Sequence, residues 1–327
     1  MGVSIPFLNL REKEWKVINA VSDALRISDI AARAGLPEYE VSRILSSGKK
    51  LSKFRLSFEI DFRAAGILPI AAISTNDLRE IPFLRTKRVL RMYGRKLYLY
   101  TALIPEEEHL ISEWLSYFKE NTWVIRAFKR VWWKPSSKAT SYVNGKVFGD
   151  LSKLKIEEEV QVPLVKEHVC PLDDADAAIL MYKMRWPFVS LRKIEEVSEK
   201  YVGKRIPHQT LSRHFRKHVL KIWKGNRVWL YRSVDEVPYK ILYMEGRDAI
   251  RVAVSLVKLP WFHTAYLDVN RALISGQPPC ESILPLLQVI EGLDVEVTEL
   301  IMEPSMVKVV PVEELLRKLV RVRVRRR

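Results

Sequence analysis

The chain has 327 residues, 48% of them apolar, enough to furnish cores for two domains of ordinary size. Its 55 Lys and Arg outnumber 39 Asp and Glu, a formal charge of +16 that points to a polyanionic partner or an anionic surface. The longest uncharged apolar run, Ala64 to Asn76, falls short of the roughly 20 residues of a membrane-spanning helix, no signal-peptide pattern opens the chain, and Cys170 and Cys280 form no CxxC pair or disulfide framework, so a cytoplasmic protein with no membrane partner is expected.

Residues 11 to 24 read as a helix, and LRISDIAARAGLPEYEVSRIL (25 to 45) carries helix-turn-helix spacing. Ala31 is small enough for two helices to cross closely, and Gly35 supplies a turn where positive φ is cheap. Leu36, Val41 and Ile44 return the second helix to Ile30. After Lys49 and Lys50 the pattern becomes extended. KFRLSFEIDF and GILPIAAIST read as strands, NDLREIPFLRTKRV as a helix begun by Asn76, and LRMYG with KLYLYTALIP as a strand pair. PEEEHLISEWLSYF reads as a helix with Pro105 and three glutamates at its start and Leu110, Ile111, Trp114, Leu115 and Phe118 on one face. TWVIRAFKRVWW reads as a closing strand, which completes a ferredoxin-like βαββαβ order.

Residues 135 to 172, rich in Ser, Lys and Gly and then in charge, read as a linker that includes HVC at 168 to 170. The order then starts again. DADAAILMYKMRW, LRKIEEVSEKYVG and IPHQTLSRHFRKHV read as three helices, with Pro207 in the first turn of the third. KIWKGNRVWLYR reads as a hairpin about Lys224, Gly225 and Asn226, the position of a wing. YKILYME, RDAIRVAVSLVKL, FHTAYLDV, RALISG, CESILPLLQVIEGL and DVEVTELIM repeat βαββαβ. The expected architecture is α+β: helix-turn-helix modules at 1–50 and, winged, at 173–237, ferredoxin-like βαββαβ domains at 51–134 and 238–304, a linker at 135–172 and a basic tail at 305–327.

This organisation resembles the Lrp/AsnC (leucine-responsive regulatory protein) family of transcription regulators. The resemblance is carried by SDIAARAGLPEYEVSRI and FEIDFRAAGILPIAAIS in the first half and by IPHQTLSRHF and KILYMEG in the second. It implies double-stranded DNA as the partner, assembly through the sheet into a homo-oligomer, and a small-molecule effector. The family's glycine-containing turn between its second and third strands is matched by Gly94 in MYGRKLYLY without the usual acidic neighbour, and YLDVNRALI has no such glycine. A tandem copy makes one chain a pseudo-dimer.

The stretch RIPHQTLSRHFRKH (205 to 218) poses the main chemical question. His214 and His218 share a helix face but supply at most two ligands where zinc takes three or four. No Cys, Asp or Glu lies between Lys200 and Arg232, so neither metal nor cofactor is expected. Nine Lys and Arg and no acid run from Lys204 to Arg232, which suits a phosphate backbone. Readout of bases then falls to His208, Gln209, Ser212, Arg213 and Arg216 with Lys217 beside them, while Lys224 and Arg227 hold the backbone from the wing. The first module offers Tyr39, Ser42, Arg43, Lys49 and Lys50, with Glu38 and Glu40 where phosphates approach, and reads either a narrower site or a protein surface.

KLVRVRVRRR suits a strand with a basic face or an arm that follows DNA, and Trp132 with Trp133 either stack bases or fill an interface. Walker A, GxGxxG, GxSxG and HExxH are absent, so a sequence-specific regulator and not an enzyme is expected. Two alternatives stand beside it. One is a siroheme decarboxylase, whose subunits share this two-part organisation, although LRMYGRKLYLYTALIP lacks a histidine expected there. The other is a nucleoid or replication-associated protein that binds DNA with little sequence preference.

Overall fold

The computed structural model describes residues 3–50, 53–119, 122–161, 172–310 and 316. The HVC stretch and the KLVRVRVRRR tail lie outside the described residues. In chain order the elements begin with β1 (Ser4–Asn9), α1 (Glu12–Val21), α2 (Ile27–Ala34), α3 (Glu38–Lys50), β2 (Phe54–Ile60) and β3 (Ile67–Ser74). The hairpin β4 (Leu84–Met92) and β5 (Arg95–Pro105) leads to α4 (Glu108–Ser116) and then to the short strands β6 (Trp123–Arg126), β7 (Lys129–Trp132), β8 (Thr140–Val143) and β9 (Lys146–Asp150). Helices α5 (Asp174–Lys183), α6 (Leu191–Val202) and α7 (His208–His214) come next, and α7 runs through a π turn (Phe215–Val219) into α8 (Leu220–Ile222). The chain continues with β10 (Trp223–Leu230), β11 (Lys240–Glu245), α9 (Ala249–Leu256), β12 (Phe262–Asp268), β13 (Arg271–Gly276), α10 (Ile283–Ile290) and β14 (Glu296–Val309).

By contact the chain divides into two units, one of residues 1–56, 129–162 and 226–304, the other of 57–128, 163–225 and 305–327. The first unit holds the strand order β14-β11-β13-β12-β7, antiparallel throughout the described pairs. Its first four strands have the ferredoxin-like arrangement, with α9 as the first crossover helix and α10 as the second. Leu242, Met244, Ala265, Leu267, Ala272 and Ile274 share one face of β11 to β13 and are buried, as are Ile250, Val252 and Leu256 of α9.

The same unit corrects the linker expectation. Residues 140–150 form the hairpin β8-β9, and β9 pairs with β1, Ile5 opposite Gly149. Asn144 and Gly145 turn it with φ of 48° and 78°, the left-handed pair a tight hairpin requires. Gly149 admits no side chain, because a Cβ there would enter the ring of the fully buried Trp261. The expected closing strand TWVIRAFKRVWW is also divided. Its second part, β7, pairs with β12, and Trp133 beyond it is buried with its indole N–H donating to Thr140 Oγ1 at 2.9 Å.

The second unit carries the order β6-β3-β5-β4, again the ferredoxin-like arrangement of four antiparallel strands. Its first crossover differs from expectation, because residues 76–83 form no helix and β4 begins at Leu84. Pro82 would break a helix there, and the segment is instead fastened to the hairpin. Tyr100 Oη donates to Asn76 O at 2.6 Å and accepts from Leu78 N at 2.8 Å; Tyr98 Oη donates to Asp77 at 2.9 Å; Lys87 reaches Asp77 and Leu78 O. Burial pushes the Tyr100 phenol up to about 12, so it keeps its proton for this bond. With α4, whose Ile111 and Trp114 are buried, this segment covers one face of the sheet over Leu68, Ile70, Ala72 and Ile104.

Helices α5, α6 and α7 complete the second unit. Gly203 ends α6 with φ 79°, as Gly35 ends α2 in the first unit with φ 65°, the conformation an L side chain resists. Among the described residues no helix is long and apolar enough to cross a membrane.

Candidate anion-binding face and histidine–carboxylate centre

The nine basic residues between Lys204 and Arg232 separate into two groups once their neighbours are known. Lys204 pairs with Asp174 at 2.7 Å, Arg205 with Glu195 at 3.2 Å, Lys224 with Asp61 at 3.4 Å and Arg232 with Glu236 at 3.0 Å. Arg227 lies over the Trp229 ring and donates to Thr264 Oγ1 at 2.8 Å. Arg213, Arg216, Lys217 and Lys221 are exposed and have no acidic partner among the described residues. Gln209 is exposed beside them, and His208 and Ser212 are half-buried.

The wing expected about Lys224, Gly225 and Asn226 is not formed. Residues 223–230 are one continuous strand, β10. Asn226 is buried, its side-chain amide donating to Val21 O at 2.9 Å and Ala24 O at 2.6 Å, so it is spent as an anchor for the end of α1. Lys224 and Arg227 therefore do not stand at a hairpin tip.

Under the exposed cations lies a buried polar centre. Asp176, on the first turn of α5, is fully buried. His214 Nδ1 stands 3.2 Å from one of its oxygens and His218 Nδ1 3.0 Å from the other. Asp173 caps α5, its Oδ1 accepting from Ala175 N and Asp176 N, while its Oδ2 lies 3.4 Å from His214 Nδ1. The two imidazoles meet edge to face at 4.8 Å between centroids. Burial pushes the Asp176 carboxyl above the usual carboxylate range, opposed by the hydrogen bond to His218. The π turn that carries His218 is an irregularity common at functional sites.

Lys183, two turns along α5, is buried too. Its ammonium donates to Pro187 O at 3.0 Å and Val189 O at 3.1 Å and faces the rings of Phe215 and Phe58. Among the described residues no carboxylate answers it, and burial pulls it down to about 8. In the first unit, burial likewise lowers His263 to about 3; Nε2–H of this neutral ring donates to Leu230 O at 2.8 Å and its Nδ1 accepts from Tyr239 Oη at 3.0 Å. That is a core histidine.

The first helix pair offers a different surface. Tyr39 is 73% exposed and Ser42 half-buried. Glu40 does not stand where phosphates approach: it is 7% exposed, accepts from Lys13 at 2.8 Å and holds Arg43 at 3.4 Å. Lys49 and Lys50 end α3, and their side chains lie outside the described residues. A shallow hollow of about 480 Å³ nearby is lined by Arg11, Lys53 and Tyr142, and Glu14 neutralises both of its cations.

The sequence reading thus named Arg213, Arg216 and Lys217 but not Asp173, Asp176 or Lys183. The D-x-x-D capping pattern at 173–176 was visible in the chain, yet nothing local ties it to His214, 38 residues away.

No protein-family model matches the chain, and no curated protein matches it in sequence. Among solved structures, the siroheme decarboxylase NirDL aligns with 96% of this chain and 100% of its own at 13% identity and a TM-score of 0.47. The same enzyme in co-complex with an iron-uroporphyrin III analogue aligns with 95% and 99%, at 13% identity and 0.48. A structure named PH0061 aligns with 36% of this chain and 92% of its own, at 20% identity and 0.27. Two of the three are structures of an enzyme, which corrects the expectation of a chain with no catalytic role. At these scores the likeness assigns no activity, and the chain's own residues have to carry any reading.

Proposed function

We propose that the chain is an enzyme of the siroheme-decarboxylase kind, acting on a carboxylate-rich tetrapyrrole. The observation that carries this reading is the set of exposed cations Arg213, Arg216, Lys217 and Lys221, none with an acidic partner among the described residues. A uroporphyrin-type macrocycle is a planar polyanion ringed with carboxylates. Guanidinium groups bind carboxylates through paired, charge-assisted hydrogen bonds, and ammonium groups add charge without fixing direction. Decarboxylation releases a carboxylate carbon as CO2 and places a proton on the carbon left behind.

The test is an anaerobic titration of the purified chain with siroheme and with iron-uroporphyrin, followed by mass analysis of the tetrapyrrole. A saturable shift of the Soret band and loss of CO2 from siroheme are expected, both diminished in Arg213→Ala/Arg216→Ala. A folded chain that shifts neither spectrum overturns the reading.

A second reading rests on the same face. Gln209, Arg213, Arg216 and Lys217 lie exposed along α7 and its π turn, after the turn at Gly203, which is how a recognition helix would present donors to double-stranded DNA. Under this reading α2–α3 and α6–α7 are tandem helix-turn-helix modules of a regulator. A salt-sensitive, sequence-selective gel shift with no tetrapyrrole spectrum favours it.

A further inference from the structure

The histidine–carboxylate centre of the second unit is not used by the anion-binding reading. We propose that Asp173, Asp176, His214 and His218 form a zinc site. The first argument is spacing. With zinc–nitrogen and zinc–oxygen bonds of about 2.0–2.2 Å, the donor atoms of a tetrahedral site stand roughly 3.3–3.5 Å apart. His214 Nδ1 stands 3.2 Å from one Asp176 oxygen and 3.4 Å from Asp173 Oδ2, His218 Nδ1 stands 3.0 Å from the other Asp176 oxygen, and the donor atoms of Asp176, His214 and His218 all lie within 4.8 Å of one another.

The donor set is the second argument. Two neutral imidazoles and two carboxylates suit zinc, and two carboxylates cancel its charge, which matters for an Asp176 that is fully buried and pairs with no Lys or Arg among the described residues. Asp173 is held in place by the two backbone N–H groups that its other oxygen accepts, so one ligand is oriented in advance. His218 is partly exposed, which leaves an entry path. Zinc bound here would pin α5 to α7 and its π turn, the helix that carries the exposed cations.

This inference stands apart from the tetrapyrrole reading, and either can hold without the other. The full chain is stripped with a chelator and titrated with zinc by calorimetry; cobalt is added in parallel for its visible spectrum. One zinc per chain is expected, with the intense absorption of tetrahedral cobalt. His218→Ala should weaken zinc by at least about 100-fold, more than the loss of a group that merely orients a ligand. Far-ultraviolet circular dichroism checks that the variant folds, and Asp173→Asn serves where it does not; because the amide keeps the helix cap and an oxygen donor and loses only the charge, a weakening of about tenfold is expected there. A folded parent chain that takes up no zinc overturns the proposal, as does uptake unchanged in both variants.

Discussion

Gly35 after α2 and Gly203 after α6 adopt the same left-handed turn, and each leads into the second helix of an expected helix-turn-helix. The two regions then part over charge. Around α3 four described cations meet an acid: Lys13 and Arg43 meet Glu40, Arg11 and Lys53 meet Glu14. Around α7 the acids Asp174, Glu195 and Asp61 pair with Lys204, Arg205 and Lys224, and Arg213, Arg216, Lys217 and Lys221 between them meet no acid among the described residues. An acid-free run of sequence is therefore not the same thing as a free basic surface. What distinguishes them is which carboxylates arrive from other elements.

The comparison can be broken most directly at the exposed cations. Arg213→Ala/Arg216→Ala should cost about 3 to 6 kcal/mol of affinity for iron-uroporphyrin, taking roughly 1.5–3 for each charged hydrogen-bonding group lost. Arg43→Ala, already engaged by Glu40, should leave affinity nearly unchanged. Equal losses in a spectral titration would show that pairing with Glu40 does not set the two surfaces apart.

The next effect concerns buried charge. Glu40 is paired, whereas Lys183 meets carbonyls and rings and no acid among the described residues. Burial lowers the folded pKa of Lys183 from 10.5 to about 8, so between these values the unfolded chain holds more protons than the folded one. Stability should then rise with pH across that window, by up to about 3 kcal/mol, and level off above it. Urea denaturation from neutral to alkaline pH reads the slope, and Lys183→Met should remove it. A parent profile that is flat or falling there contradicts the assignment.

The shared backbone device supplies a smaller effect. Gly35→Ala and Gly203→Ala should each destabilise by about 1–2 kcal/mol, because both place a Cβ in the left-handed region with no neighbour within 4 Å to clash. Similar costs in thermal melts support equivalent turns; a much larger cost at one of them would mean that it does something the other does not.

Glu40→Gln sharpens the comparison with the least change. It should release Lys13 and Arg43 and raise polyanion affinity slightly, seen as a steeper salt dependence. No change in that slope would mean that Glu40 leaves the first surface no weaker than it would be otherwise.

Much of the fold was legible in local pattern. The apolar runs GILPIAAIST and KILYME, the apolar face of 108–116, and glycine after α2 and α6 place strands, helices and turns where they occur, because these signals act over a few neighbouring residues. The hairpin at Asn144–Gly145 was written in the sequence as well, and passed for linker only through its Ser, Lys and Gly neighbours. The segment 76–83 was misread as helix, since its partners Tyr98 and Tyr100 lie about twenty residues on.

Element order and the basic run of 204–232 are thus properties of the sequence itself, set by side-chain periodicity and composition. Only the tertiary structure decided that 223–230 is a strand and not a wing, that Glu40 is a buried partner and not a barrier to anions, and that Asp176 meets two histidines. The reason is physical: hydrogen bonding and charge depend on distance in space, and no local rule places Asp176 beside His214 across 38 residues of chain.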